Sequence, residues 1–337
     1  MKKVSVAIPA YNQAHFIRQA LDSVLAQDYP NLEVIVSDNA STDNTTEVVQ
    51  PYLSDSRVRY YRNPVNLGMI GNFKKALYEH STGELAQHLD GDDYLTDPHY
   101  ISEAVDMIER NGLIMVFGRT RSFYERDHTL VSDKVNSDLP AVMDGNWLFL
   151  NYHKGYSLTS LSVVHDRKRA MEVGFYDYNI RSTDWENLLK LIIGRKVGFI
   201  NRFVGVWRRH GSSVTFKQDL DVDLQNLAYI DSPYRYALSI NAFPPETLQR
   251  WRRRMLKRYF VQILVRALLM RNRAHEQGII DYLKANEKEV YRSICLDPRY
   301  AALRLSILWS RPLTYLVFKH VLKQESFIKD YEYIPGA

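Results

Sequence analysis

The run from Val4 to Ile8 is short and mostly apolar, the pattern of a buried strand, and Pro9 is expected to end it. Behind it, Phe16, Ile17, Ala20, Leu21, Val24 and Leu25 recur at helical spacing, so residues 14–26 predict an amphipathic helix that Tyr29-Pro30-Asn31 breaks. Leu32 to Val36 is a second strand. The capping-rich stretch Ser37 to Asp43 then leads into a helix ending near Tyr52. Val58 to Tyr61 is a third strand, Asn63 to Gly68 a loop, and Ile70 to His80 a helix. The strand from Leu85 runs out into Leu89-Asp90-Gly91-Asp92-Asp93, a helix follows near 98–110, and Leu113 to Phe117 is a further strand. Alternation of this kind predicts an α/β fold, a mostly parallel Rossmann-like sheet with helices on both faces.

In such sheets ligands bind at the carboxyl ends of the strands. Pro9-Ala10-Tyr11-Asn12 follows strand one, Asp38-Asn39 follows strand two, and Asp90 to Asp93 follows strand four. Their polar groups would converge on one edge, where Tyr11 can stack on a base and Asp38 can accept from a pyrimidine N–H or a ribose hydroxyl. Asp90, Asp92 and Asp93 are close enough to repel one another unless a cation is present. Their hard oxygens suit Mg²⁺ or Mn²⁺, which binds through a few carboxylates and substrate phosphates. The other reading is a solvated acidic turn before a helix, with Thr96 or Asp97 as the cap and Pro98 in the first turn.

Taken together, Ile8 to Asn12, Val36 to Asp43, Asn66-Leu67-Gly68 and Leu89 to Asp93 resemble the inverting family 2 glycosyltransferases of the GT-A fold. That resemblance implies a nucleotide-diphosphate sugar donor and a divalent metal, Mn²⁺ or Mg²⁺. Pro9, Ala10, Tyr11 and Asp38 would hold the base and ribose, with Asn12, Asn39, Asn66, Gly68 and Gly91 in the same donor site. Asp90 would contact the ribose or donor sugar, while Asp92 and Asp93 would face the metal. Asn39 departs from the family's usual second aspartate. Lys74 and Lys75 can neutralise a phosphate or simply form a solvated helix face.

The next stretch reads as an acceptor half. Residues 121–140 are polar, a loop or irregular hairpin; Trp147 to Leu150 is a short helix, and Leu158 to Val164 alternates as a strand. Gly174-Phe175-Tyr176-Asp177 resembles the family's turn before its catalytic helix. That helix begins Ser182-Thr183-Asp184-Trp185-Glu186, and the resemblance gives Asp184 the role of general base, with Thr183 in place of a glutamate. On residues alone, Asp184 can equally be an anion in a first helical turn capped by Ser182 or Thr183. Glu186 is the reserve candidate. Phe203 to Val206 predicts a strand leading to Trp207-Arg208-Arg209-His210 and a run of small hydroxyl residues. The resemblance makes His210 a metal or phosphate ligand and gives Arg208 or Arg209 the diphosphate. It ends near residue 215, so residues 1–215 are read as the catalytic domain, with 1–120 its nucleotide-sugar half and 121–215 its acceptor half. Residues 216–337 are read as a helical, basic C-terminal region.

Composition adds limits. The chain has 337 residues, 45% hydrophobic and 25% charged, a globular balance. Its single cysteine, Cys295, cannot form an internal disulfide, which suits a reducing compartment. The apolar start is too short for a signal peptide, and no run of about 18 apolar residues predicts a transmembrane helix. The net charge of +5 is concentrated beyond residue 250. From Glu246 to Arg273, Trp251, Met255, Tyr259, Ile263 and Ala267 recur every four residues beside Arg252, Arg253 and Arg254. Such a helix either lies on an anionic membrane surface or forms a core with solvated arginines.

The sequence therefore predicts a cytoplasmic, metal-dependent inverting glycosyltransferase, with the basic helix offering peripheral contact to the membrane's cytoplasmic face. The donor is a nucleotide-diphosphate sugar, UDP-linked, and the acceptor a glycan or lipid-linked hydroxyl of polysaccharide or lipopolysaccharide synthesis. One rival is a sugar nucleotidyltransferase, which needs a glycine-rich basic loop after strand one that Pro9 to Asn12 does not supply. Another is a non-catalytic nucleic-acid or anion-binding protein using the basic helix. The acidic cluster opposes that reading, and no nucleic acid is expected as a partner.

Overall fold

The computed structural model describes residues 1–132, 136–210 and 219–309. Two compact units divide the chain, Met1–Arg209 and His210–Ala337.

The first unit follows the alternating pattern. In order it contains β1 (Val4–Ala10), α1 (Ile17–Leu25), β2 (Leu32–Asp38), α2 (Thr45–Val49), β3 (Val58–Arg62), α3 (Gly68–Lys75), β4 (Leu85–His88), β5 (Tyr94–Leu95) and α4 (Tyr100–Asn111). Then come β6 (Met115–Tyr124), β7 (Thr129–Val131), β8 (Val142–Asp144), α5 (Gly145–Asn151), β9 (Val163–Asp166), α6 (Arg167–Glu172), α7 (Thr183–Ile192) and β10 (Lys196–Arg209). The helix α3 runs on through a π turn, Ala76–His80. One sheet runs β3-β2-β1-β4-β9-β6-β10-β5, with β7 on β6 and β8 on β10. It is parallel from β3 to β4 and mixed beyond, since β9 runs antiparallel to both β4 and β6. The parallel part matches the expected sheet; the antiparallel insertions belong to the later half.

All seven residues of β1 are buried, because both its faces are covered. Val4, Val6 and Ile8 pack in one cluster with Ile17, Leu21 and Val24 of α1 and Ile101, Val105 and Ile108 of α4. Pro9 does not end the strand. It pairs in register with Ser37, while β4 reaches only as far as Ala7. The alternating amides of β1 point Pro9 to the side that β4 has already left, so the missing N–H leaves no ladder bond unmade. The strand expected over 158–164 is shorter: β9 begins at Val163, after a 3₁₀ turn at Ser160–Ser162. The polar stretch 121–140 is partly a hairpin, β6 against β7.

The second unit, as described, is helical: α8 (Leu220–Gln225), α9 (Ala228–Ser239), α10 (Pro245–Leu269), α11 (Arg273–Asn286), α12 (Lys288–Cys295) and α13 (Pro298–Trp309). Pro245 opens α10, as a first-turn proline should. The apolar repeat of α10 is core: Trp251, Met255, Leu256, Phe260 and Leu264 are each at most 2% exposed. Of its cations, Arg252, Arg253 and Lys257 are engaged within the unit. Arg252 bonds Asp231 at 2.6 Å and Glu287 at 2.8 Å, Arg253 meets Glu289 at 2.6 Å, and Lys257 meets Asp297 at 2.9 Å. The aromatic face proposed for lipid is therefore turned inward, and the core reading of this helix prevails. No helix among the described residues is long and apolar enough to cross a membrane.

Candidate active site

Parallel pairing brings the carboxyl ends of β1, β2, β3 and β4 to one edge. The two loops leaving β1 and β2 are laced together there. Asn12, at φ 54°, donates its N–H to Ser41 Oγ at 3.0 Å and accepts from Thr42 N at 2.8 Å. Gln13 N donates to Thr45 Oγ1 at 3.0 Å. Tyr11 projects from this edge with 46% of its surface exposed. Asp38 is fully buried; it accepts from Ser41 N at 2.8 Å and from the Tyr60 hydroxyl, with Arg62 Nε 3.6 Å away. Burial and the Asp38 bond push the Tyr60 hydroxyl up to about 12, so it stays a donor.

Asn39 uses both ends of its amide inside the protein. Nδ2 donates to Asn66 Oδ1 at 2.9 Å and Gly68 O at 3.1 Å, while Oδ1 accepts from Leu67 N at 2.8 Å. It thereby pins the Asn66-Leu67-Gly68 loop, where Gly68 takes a φ of +75°. Behind it Asn72 bonds Ser37 and Asn63 in a buried polar lattice. An aspartate at position 39 would face two acceptors without a proton to offer. We expect Asn39→Asp to lose about 2–3 kcal/mol of stability, read as a lower urea midpoint with unchanged m-value.

The acidic cluster forms. Carboxylate oxygens of Asp90, Asp92 and Asp93 lie within 4.8 Å of one another. Gly91 allows the turn to pack under β1, since a Cβ there would sit 3.3 Å from Gln13 Cγ and 3.4 Å from Pro9 O. Asp93 is 3% exposed and accepts from Arg208 N at 2.8 Å. Burial first, then the charges of Asp92 and Asp90, hold its carboxyl well above the usual carboxylate range. Three hard carboxylates gathered this closely are a donor set that fits Mg²⁺ or Mn²⁺.

Arg208, expected at the diphosphate, has its donors engaged within the protein. Its Nε donates to Asp92 O at 2.8 Å, and its terminal nitrogens bond Glu125 and Gln19. Its donors thus brace the acidic loop from below. Arg209 stacks 3.3 Å over the Trp207 ring and lowers the Asp93 carboxyl somewhat by its charge. His210 is the first residue of the second unit. The hydroxyl run after it falls in 211–218, outside the described residues. Lys74 meets Asp177 at 2.7 Å, a surface ion pair within the turn region.

Asp184 opens α7. Its side chain keeps a partial opening, yet burial, helped by the charge of Asp90, raises its carboxyl to about 7. Ser182 is the N-cap residue without a side-chain capping bond. Glu186 is turned inward and forms a buried ion pair with Lys190 at 2.7 Å, which removes it as a reserve base. The sequence reading missed His88 and Tyr176. His88 Nε2 lies 2.9 Å from Asp90 Oδ1, and its Nδ1 lies 3.1 Å from the Tyr176 hydroxyl. The one available signal was a histidine at the end of a buried strand, two residues before the acidic cluster.

Residues 5–170 match the family model described as Glycosyl transferase family 2. Chondroitin synthase of Pasteurella multocida is 29% identical over 66% of this chain, which spans 22% of that protein. The mycobacterial relatives it matches are spanned over 60% of their length. Among solved structures, S. aureus TarS 1–349 in complex with UDP-GlcNAc superposes with a TM-score of 0.69 at 16% identity, over 96% of this chain and 91% of that one. The mannosyltransferase of Pyrobaculum calidifontis, in complex with GDP-Man and Mn²⁺, gives 0.51 at 17% identity, over 98% and 86%. Both likenesses are of fold.

Proposed function

Because residues 5–170 form a glycosyl transferase family 2 domain, we propose that this chain is a glycosyltransferase that moves a sugar, with inversion, from a UDP-linked donor to an acceptor hydroxyl on a glycan or lipid-linked chain. The observation that carries this reading is the pairing of the three-aspartate cluster with Asp184, a carboxyl near neutrality within its electrostatic reach. UDP is preferred over GDP because the stronger structural likeness is to a protein holding UDP-GlcNAc.

Tyr11, exposed at the carboxyl end of β1, supports stacking of the base there, and the buried Asp38 braces the loop beside it through Ser41. Asp90, Asp92 and Asp93 would hold a divalent cation, which when bound offsets the charge of the departing diphosphate. Asp184 accepts the proton of the acceptor hydroxyl as that oxygen attacks the anomeric carbon and the bond to the diphosphate oxygen breaks. One displacement inverts the centre, and a base near neutrality matches the proton affinity this needs. A glycan acceptor is supported by the likeness to a polysaccharide synthase.

The test is calorimetric titration of the protein with UDP, GDP and CDP, each with and without Mn²⁺. UDP should bind only with the metal present. Failure of all three to bind would remove the donor-site reading.

A further inference from the structure

Tyr176 sits at a φ of 63°, in the left-handed region that bulky residues avoid. It is 8% exposed, and the turn around it is fastened from two elements. From α3 and its π extension, Tyr78 donates its hydroxyl to Phe175 O at 3.1 Å and Lys74 meets Asp177 at 2.7 Å. From α7, Asn187 Oδ1 accepts the Tyr176 N–H at 3.1 Å, and Lys190 donates to Gly174 O at 3.1 Å while paired with Glu186. A strained residue held this firmly points to a use for its side chain.

That side chain ends on His88. The Tyr176 hydroxyl, which burial keeps protonated, donates to Nδ1, leaving Nε2–H to donate to Asp90 Oδ1. Phe73 packs edge-on against both rings, at 4.3 Å from His88 and 5.6 Å from Tyr176. The chain of contacts therefore begins at Asn187, on the helix that carries Asp184, and ends on a carboxylate of the acidic cluster.

We propose that Tyr176 and His88 are positioning residues that hold the Asp90 carboxylate in fixed relation to the helix bearing Asp184. The proposal rests on the glycosyltransfer reading above. It assigns the strain at Tyr176 to the join between the donor side and the acceptor side of the site. Its effect should fall on turnover more than on donor affinity, because the fold of the donor pocket is held by other bonds.

The test uses the full chain. Tyr176→Phe removes one oxygen, and His88→Leu removes both ring nitrogens. Each should lower kcat about tenfold or more while donor KM and UDP affinity change less than about threefold. His88→Gln, which keeps an N–H near the Nε2 position, should recover part of the loss. Parental kcat in both Tyr176→Phe and His88→Leu would overturn the proposal. A readout independent of activity is the ¹⁵N spectrum of the histidines: the parent should show His88 with its proton on Nε2 and Nδ1 accepting, and Tyr176→Phe should disturb the Nδ1 signal. A parental Nδ1–H tautomer would overturn the relay whether or not a donor binds. Absence of UDP binding by the parent would count against the glycosyltransfer reading alone.

Discussion

Asp184→Asn should lower transfer by about 10³-fold or more while UDP affinity stays within about twofold of the parent. The amide keeps the shape of the carboxyl but cannot take the acceptor's proton, and Asp184 lies outside the three-aspartate group that would face the diphosphate. The parent's pH profile follows from the same residue. Activity needs the ionised form, so kcat/KM should rise with pH along a limb centred at or below about 7. A bound cation screens Asp90, one of the groups raising Asp184, and can only move that limb downward. Stability should respond with the opposite sign. The folded protein keeps a proton on Asp184 that the unfolded chain releases at its ordinary value of 3.8, so ionisation subtracts stability as pH climbs from 3.8 through about 7. The asparagine variant lacks that loss. It should melt above the parent near pH 8 and level with it near pH 4, seen by calorimetry. Equal activity of Asp184→Asn and the parent would discard the base assignment.

The alternation of strands and helices through residue 117 was legible because periodicity and turn residues agree there. What the pattern misjudged, it misjudged through tertiary context. Pro9 looks like a stop, yet β1 continues because the neighbour on the side it faces has already ended. The stretch before Val163 alternates like a strand, yet it turns through 3₁₀ geometry before pairing with β4 and β6. The basic repeat of α10 left a membrane-surface helix and a core helix as equal readings. Arg252 and Arg253 pair with carboxylates from Asp231, Glu287 and Glu289, which no spacing within the helix itself reveals.

At the site the acidic cluster was readable because its members are adjacent in sequence. The functions of Asn39, Arg208 and His88 were not, because each depends on a partner far along the chain. Asn39 saturates its amide on the loop at 66–68, and Arg208 is consumed by Asp92, Glu125 and Gln19. Thus a cation beside a candidate phosphate site can serve the loop that carries the carboxylates instead of the phosphate.

Asp92→Asn should abolish the metal-dependent part of UDP binding, weakening it by about 100-fold in the Mn²⁺ titration while leaving the fold intact. The physical reason is charge balance. The apo cluster is unfavourable, since burial and the charges of Asp92 and Asp90 oppose ionisation of Asp93. Its folded-state proton affinity exceeds that of the unfolded chain, so in the absence of cation stability should fall as pH rises above 3.8, the usual carboxyl value. A cation that binds only the folded state reverses this, and does so more strongly where the carboxylates are ionised. Mn²⁺ should therefore raise Tm at pH 8 by more than at pH 5. Asp92→Asn should raise the apo Tm at pH 8, because one of the two repelling charges on Asp93 is gone, and should shrink the Mn²⁺ increment. The two effects have opposite signs in one variant, which separates a metal site from a merely acidic turn: a solvated turn would show neither a pH-dependent Mn²⁺ increment nor its loss on substitution.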